Sequence, residues 1–125
     1  MCSVTFTFLI ASLFVLAGCT GNVVKVLPGE YDGFVSCLLD KNVKMYGAYW
    51  CPHCANQKEL FGDSFTLFEA SGGYVECDPK GRNAQPLECT KKGITGFPTW
   101  IFSEGQRVSG TQPLTSLSEL SDCPL

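Results

Sequence analysis

This sequence has no block of basic residues, and its formal net charge is -3. A nucleic-acid partner is therefore not expected, because phosphate binding relies on clustered Lys and Arg. Charge of either sign is scarce: 17% of the 125 residues are charged, against 45% hydrophobic. That balance excludes a disordered chain and fits one globular domain with a real core. There is no internal repeat and no low-complexity segment. Histidine occurs once, at His53, and the residue directly after Cys54 is Ala55. A c-type haem site needs histidine in that place, so it is excluded. Cys77 and Cys89 do not make a second close pair, so a four-cysteine zinc site fits poorly. No metal and no other cofactor are expected.

What the chain does have is cysteine. Eight in so short a chain point to an oxidising compartment. The most informative two lie in Cys51-Pro52-His53-Cys54, between an apolar, aromatic run (43–50) and a helix-like segment (55–61). At a helix start, unpaired N–H groups and the helix dipole favour thiolate over thiol. His53, lying between the two sulfurs, favours it further when protonated. A stabilised thiolate leaves readily, so a disulfide here oxidises other thiols. As a mere staple, so small a ring would constrain the unfolded chain little. We therefore read Cys51 as the attacking sulfur and Cys54 as the more buried, resolving one.

Four more cysteines are structural candidates. Cys77 and Cys89 close a loop of modest length, which as a disulfide would add roughly 3 kcal/mol in the chain-entropy picture. A second redox pair relaying electrons is the other reading. Cys37 and Cys123 remain, and pairing them would tie the chain's end to its first helix.

No charged side chain precedes Lys25. Residues 4–16 form an apolar run ending in Leu16-Ala17-Gly18-Cys19, which resembles the lipobox of bacterial lipoproteins. That resemblance implies a signal over 1–19, with Cys19 as the lipidated residue. An uncleaved membrane anchor is the alternative, since the uncharged stretch nearly reaches spanning length. Residues 20–30 read as a tether, and 31–125 as the domain. Either way the location is extracytoplasmic and membrane-associated: periplasmic, cell-surface or, in a eukaryote, lumenal.

Along the domain, Asp32 is expected to cap a helix carrying Phe34, Val35, Leu38 and Leu39, with Asn42 as its stop. Residues 43–49 read as a buried strand. A helix over 51–61 is interrupted near Gly62-Asp63 and resumes to Gly72-Gly73. Strand 74–77, a polar loop (78–86), a short helix (87–92) and a hairpin (99–102 with 106–109) follow. Ser116-Leu117-Ser118-Glu119 fits a capping box for a last helix. This order implies an α/β fold: a mixed sheet with helices on both faces, whose chemistry lies at the C-terminal ends of its parallel strands.

Two separated segments carry a resemblance to the thioredoxin superfamily over residues 31–121. One is Tyr49-Trp50-Cys51-Pro52-His53-Cys54. The other, Gly93-Ile94-Thr95-Gly96-Phe97-Pro98-Thr99, looks like that family's cis-proline segment. More narrowly, residues 45–54, with Tyr74-Val75-Glu76-Cys77 and Gly96-Phe97-Pro98-Thr99-Trp100, look like the thioredoxin-like domain fused to bacterial and plant homologues of vitamin K epoxide reductase. The resemblance implies a thioredoxin-like fold, a mixed four-stranded sheet flanked by helices. It implies a thiol–disulfide oxidoreductase acting on thiols and disulfides of exported proteins, and a quinone-linked, vitamin K epoxide reductase-like membrane partner supplied separately. It gives Pro98 a cis bond that sets the backbone of Phe97 beside the sulfurs, where a substrate strand pairs. Trp50, Phe97 and Thr99 become substrate-binding candidates. For Tyr49, core packing is an equal reading. One departure stands out: cytosolic thioredoxins carry an acidic residue in the strand before the motif, and residues 43–50 contain no carboxylate.

Overall fold

The structure is a computed structural model and describes residues 27–125. The expected signal or anchor, Cys19 and most of the tether lie outside the described residues. Among the described residues, no helix is long and apolar enough to cross a membrane.

Nine elements follow one another: α1 (Asp32–Asp40), β1 (Lys44–Gly47), α2 (Pro52–Phe61), α3 (Ser64–Ala70), β2 (Tyr74–Glu76), α4 (Pro86–Lys91), β3 (Thr99–Ile101), β4 (Arg107–Ser109) and α5 (Leu114–Ser121). The four strands form one sheet in the order β2-β1-β3-β4. β1 and β2 are parallel, while β3 is antiparallel to both β1 and β4. This is the mixed four-stranded sheet expected, flanked by helices.

Strand alternation builds two cores. Met45, Tyr74 and Trp100 face the larger one, with Phe34, Val35 and Leu38 of α1, Cys54 and Phe61 of α2, Phe65 and Phe68 of α3, and Leu117 of α5. Tyr46, Val75 and Ile101 point to the other face, against Cys89 of α4 and Cys77. The larger core is aromatic at its centre. Phe61 has Phe34, Phe65, Phe68 and Trp100 within 6.1 Å, ring centre to ring centre.

Three local expectations need correction. Asp32 does not cap α1 by hydrogen-bonding into the helix; Tyr31 holds the cap position, and the Asp32 carboxylate accepts the Gly29 N–H at 2.9 Å. The strand expected over 43–49 stops at Gly47, because the chain turns there to start the next helix. The capping box at Ser116 is absent: α5 begins two residues earlier, after the extended Pro113, and Ser118 Oγ donates to the Cys123 carbonyl instead.

Two disulfides are formed, Cys37–Cys123 and Cys77–Cys89. The first joins α1 to the end of the chain. The second closes the loop between β2 and α4.

Candidate active site

β1 leads directly into the motif. The Cys51 N–H donates to the Ala48 carbonyl at 3.1 Å, closing a turn. The turn leaves Tyr49 and Trp50 more than half exposed and delivers Cys51 to the N-cap of α2. Pro52 occupies the first turn, where its missing N–H would have had no helical partner anyway. The Ala55 N–H donates to the Cys51 carbonyl at 3.1 Å, so the helix starts at the first sulfur.

Cys51 and Cys54 are both free thiols. Cys51 is 5% exposed and Cys54 only 1%. Across from them the Phe97–Pro98 peptide is cis. The Phe97 carbonyl accepts a long hydrogen bond from Cys51 Sγ, 3.7 Å away. Phe97 also meets Trp50 edge to face at 6.1 Å. Trp50 and Phe97 therefore form one apolar rim beside Cys51. Thr99 lies beneath it: its side chain is buried and its hydroxyl donates to the Gly96 carbonyl at 2.8 Å. His53 is exposed on the first helical turn, and among the described residues its imidazole has no hydrogen-bond partner. Its carbonyl accepts from Thr111 Oγ1 at 2.9 Å.

Burial pushes the Cys54 thiol up to about 12. A backbone hydrogen bond at Ala48 opposes this, the nearby Cys51 adds to it, and the Lys58 charge opposes it. At neutral pH Cys54 therefore holds its proton.

Several residues at the site carry no signal strong enough to single them out in the sequence. Gln57 is fully buried; its Oε1 accepts from Trp100 Nε1 and from the Gln112 N–H, and its Nε2 donates to the Gln112 carbonyl. It locks α2 against the segment entering α5. The available signal was a polar residue three positions after Cys54, on the same helix face. Asp78 accepts from Trp50 Nε1 at 2.7 Å and from the Lys80 N–H at 2.8 Å, and these bonds hold its carboxyl below the usual range. Behind Cys54, Tyr74 donates its hydroxyl to Glu76 Oε2 at 2.8 Å, and both are buried. Lys58 Nζ sits 4.1 Å from the Tyr74 ring centre. Among the described residues no cluster of three or more His, Cys, Asp or Glu is placed to hold a metal ion.

No family model matches the chain. It is 43% identical over 83 residues to thiol-disulfide oxidoreductase LTO1 of Arabidopsis thaliana, which covers 62% of this chain and 20% of that protein. It is 25% identical over 117 residues to protein disulfide-isomerase erp38 of Neurospora crassa, covering 90% of this chain and 32% of that one. Protein disulfide-isomerase 1 of Dictyostelium discoideum is 33% identical over 85 residues, 62% of this chain and 22% of that protein. The chain thus spans no more than a third of these relatives. Among solved structures, oxidised mitochondrial thioredoxin 3 from Saccharomyces cerevisiae aligns with a TM-score of 0.43 at 22% identity, over 64% of this chain and 76% of that one. Fasciola hepatica thioredoxin aligns with a TM-score of 0.44 at 19% identity, over 72% and 91%. The chain thus pairs a mixed four-stranded sheet with two thiols opposite a cis-proline, and in sequence it is similar to thiol–disulfide enzymes.

Proposed function

We propose that this chain is an exported thiol–disulfide oxidoreductase that exchanges disulfides with protein thiols through Cys51 and Cys54. It works as an oxidant recharged by a vitamin K epoxide reductase-like membrane partner. The observation that carries the reading is the pair of buried thiols at the head of α2, while the other four described cysteines are locked in disulfides. Those two disulfides also support an oxidising location.

In the oxidising direction, a client thiolate attacks Cys51 Sγ of the Cys51–Cys54 disulfide. The S–S bond breaks, Cys54 leaves as thiolate and takes up a proton, and a mixed disulfide joins Cys51 to the client. A second client thiolate then attacks the client sulfur of that bond, and Cys51 leaves as thiolate. The client gains a disulfide and the enzyme is reduced by two electrons, which pass to the membrane partner. Trp50 and Phe97 supply the apolar surface for an unfolded client, and the Phe97 backbone offers strand-like pairing.

The test is trapping. The Cys54→Ser variant should accumulate mixed disulfides with exported proteins, and Cys51→Ser should not; equal trapping would reject the role assignment. Similarity to two protein disulfide-isomerases favours isomerase or reductase action as the second reading. The reduction potential separates the two: a value close to thioredoxin's, about −270 mV, would overturn the oxidant assignment. A non-catalytic peptide-binding module would form no covalent adduct at all.

A further inference from the structure

Glu76 is a buried carboxylate at the end of the edge strand β2, 4% exposed, and the exchange chemistry above leaves it without a task. Its partners are well defined. Oε1 accepts the Asp78 N–H and Oε2 accepts the Tyr74 hydroxyl, each at 2.8 Å. The 78–85 loop presses on it so closely that a Cβ on Gly81 would lie 2.3 Å from Glu76 Cγ. The Cys77–Cys89 bridge holds that loop down.

The other end of this pair points at the active site. A Cβ on Gly47 would lie 2.9 Å from Cys54 Sγ and 3.2 Å from Tyr74 Oη. The thiol and the phenol thus face each other across the one position in β1 that has no side chain. The Tyr74 hydroxyl is pushed well above its ordinary value by burial and then by Glu76. It therefore stays a neutral O–H that donates a hydrogen bond to Glu76, with its oxygen on the Cys54 side of β1 but not hydrogen-bonded to Cys54 in the resting protein. On the far side, Tyr74 and Glu76 line a cavity of about 390 Å³ shared with the exposed Thr66, Glu69 and Arg82, which opens to solvent.

We infer that Glu76, acting through the Tyr74 hydroxyl, is the group that takes the Cys54 proton during resolution and returns it in the reverse step, in place of the carboxylate that β1 lacks. This rests on the thiol–disulfide reading. As Cys54 attacks Cys51 Sγ, the bond from Cys51 to the client sulfur breaks and the client leaves as thiolate. The Cys54 proton passes to Tyr74 Oη as the phenol's own proton passes to Glu76, and then to water in the cavity. Glu76 touches neither sulfur, so it is a positioning residue for the proton. The charged and titratable groups around this path are Cys51 and Lys58 on α2, Glu69 on α3, Tyr74 and Glu76 on β2, and Arg82 in the loop.

The experiment follows reduced full-length protein with dithionitrobenzoate as the probe disulfide. The first thionitrobenzoate released reports attack by Cys51, and the second reports resolution by Cys54. In Glu76→Gln and Tyr74→Phe the mixed disulfide should still form. The second release should slow about 10- to 100-fold at neutral pH, with the deficit shrinking as pH rises and hydroxide removes the proton directly. Thiol titration in a Cys51→Ser background supplies the discriminating readout. Removing the Glu76 charge should lower the Cys54 pKa, so a carboxylate acting only as a charge predicts faster resolution, and a proton acceptor predicts slower. An unchanged or faster second release overturns the inference, as does a slowing that is equal at every pH. If Glu76→Gln does not fold, Tyr74→Phe, which loses one hydroxyl, decides alone. A wild-type protein with no second release would overturn the redox reading itself and this inference with it.

Discussion

The chain uses paired cysteines in two opposite ways, and the contrast lies in what surrounds each pair. Cys77 and Cys89 sit 12 residues apart at the two ends of a loop, and Cys37 and Cys123 sit 86 apart. Closing such loops restricts the unfolded chain, so these bonds act on stability. Cys51 and Cys54 are three positions apart within one helical turn, where closure restricts almost nothing. Their surroundings act on the sulfur instead: a helix N-terminus and the Phe97 carbonyl for Cys51, burial for Cys54. Loop length makes a staple; electrostatics and desolvation make a reagent.

The sharpest way to break this contrast is to remove one sulfur of each kind. Cys51→Ser should lower disulfide exchange by on the order of 10³-fold, measured as turnover of a reduced client, with little effect on the unfolding midpoint. Cys77→Ser with Cys89→Ser should do the reverse. If removing the Cys77–Cys89 bridge abolishes exchange in a protein that remains folded, the division into staple and reagent fails.

The staples themselves should be graded by loop length. Loss of Cys37–Cys123 should destabilise the domain by about 4–5 kcal/mol, and loss of Cys77–Cys89 by about 3 kcal/mol, in denaturant unfolding. Equal losses would show that something other than chain entropy dominates.

A smaller effect concerns the buried clamp on α2, the helix that carries Cys54. Gln57→Leu leaves the Trp100 indole N–H and the Gln112 N–H without their shared acceptor. The expected loss is about 1–3 kcal/mol, read from the same unfolding curves. A neutral result would mean that water reaches both donors.

Smaller again at neutral pH is the protonation of Cys54. Its thiol is raised from an ordinary value near 9 to about 12. The folded state therefore holds this proton more tightly than the unfolded chain does. That contribution is fully present below about pH 9 and is lost as pH rises towards about 12. Reduced wild-type protein should lose more stability over this window than Cys54→Ser, which also corrects for the Tyr74 hydroxyl. Parallel curves would mean that Cys54 is not desolvated. The smallest effect is at the surface: Asp78→Ala frees the exposed Trp50 indole, and should shift Trp50 fluorescence without moving the unfolding midpoint.

The elements most legible in the sequence were those coded locally. Periodicity and breakers located every helix and strand of the domain to within a few residues, because apolar spacing and glycine or asparagine stops act at short range. Two of the misplacements, at Asp32 and at the Ser116 box, fall where a side chain has two partners to choose from, and the third, at the end of β1, is a backbone turn. Asp32 turned to the Gly29 N–H, and Ser118 to the Cys123 carbonyl. Both partners lie within five residues, and propensity cannot rank such local side-chain-to-backbone bonds against a helix cap.

The sequence by itself determined the motif, its place between a strand and a helix, and the proline segment that pairs with it. The motif and its place follow from residue type and spacing, and the proline segment was legible through its resemblance to the thioredoxin superfamily. Only the tertiary structure decided the rest. It put the Phe97 carbonyl 46 residues from Cys51 in sequence and 3.7 Å away in space. It buried Gln57, and it set Tyr74 and Glu76 behind Cys54 by pairing β2 with β1 so that Gly47 lies opposite Glu76. A lone carboxylate in a three-residue strand looks like a solvated edge until the sheet order, the loop above it and the disulfide beneath that loop are known. Burial is a property of the packed chain, and burial is what raises the Cys54 thiol.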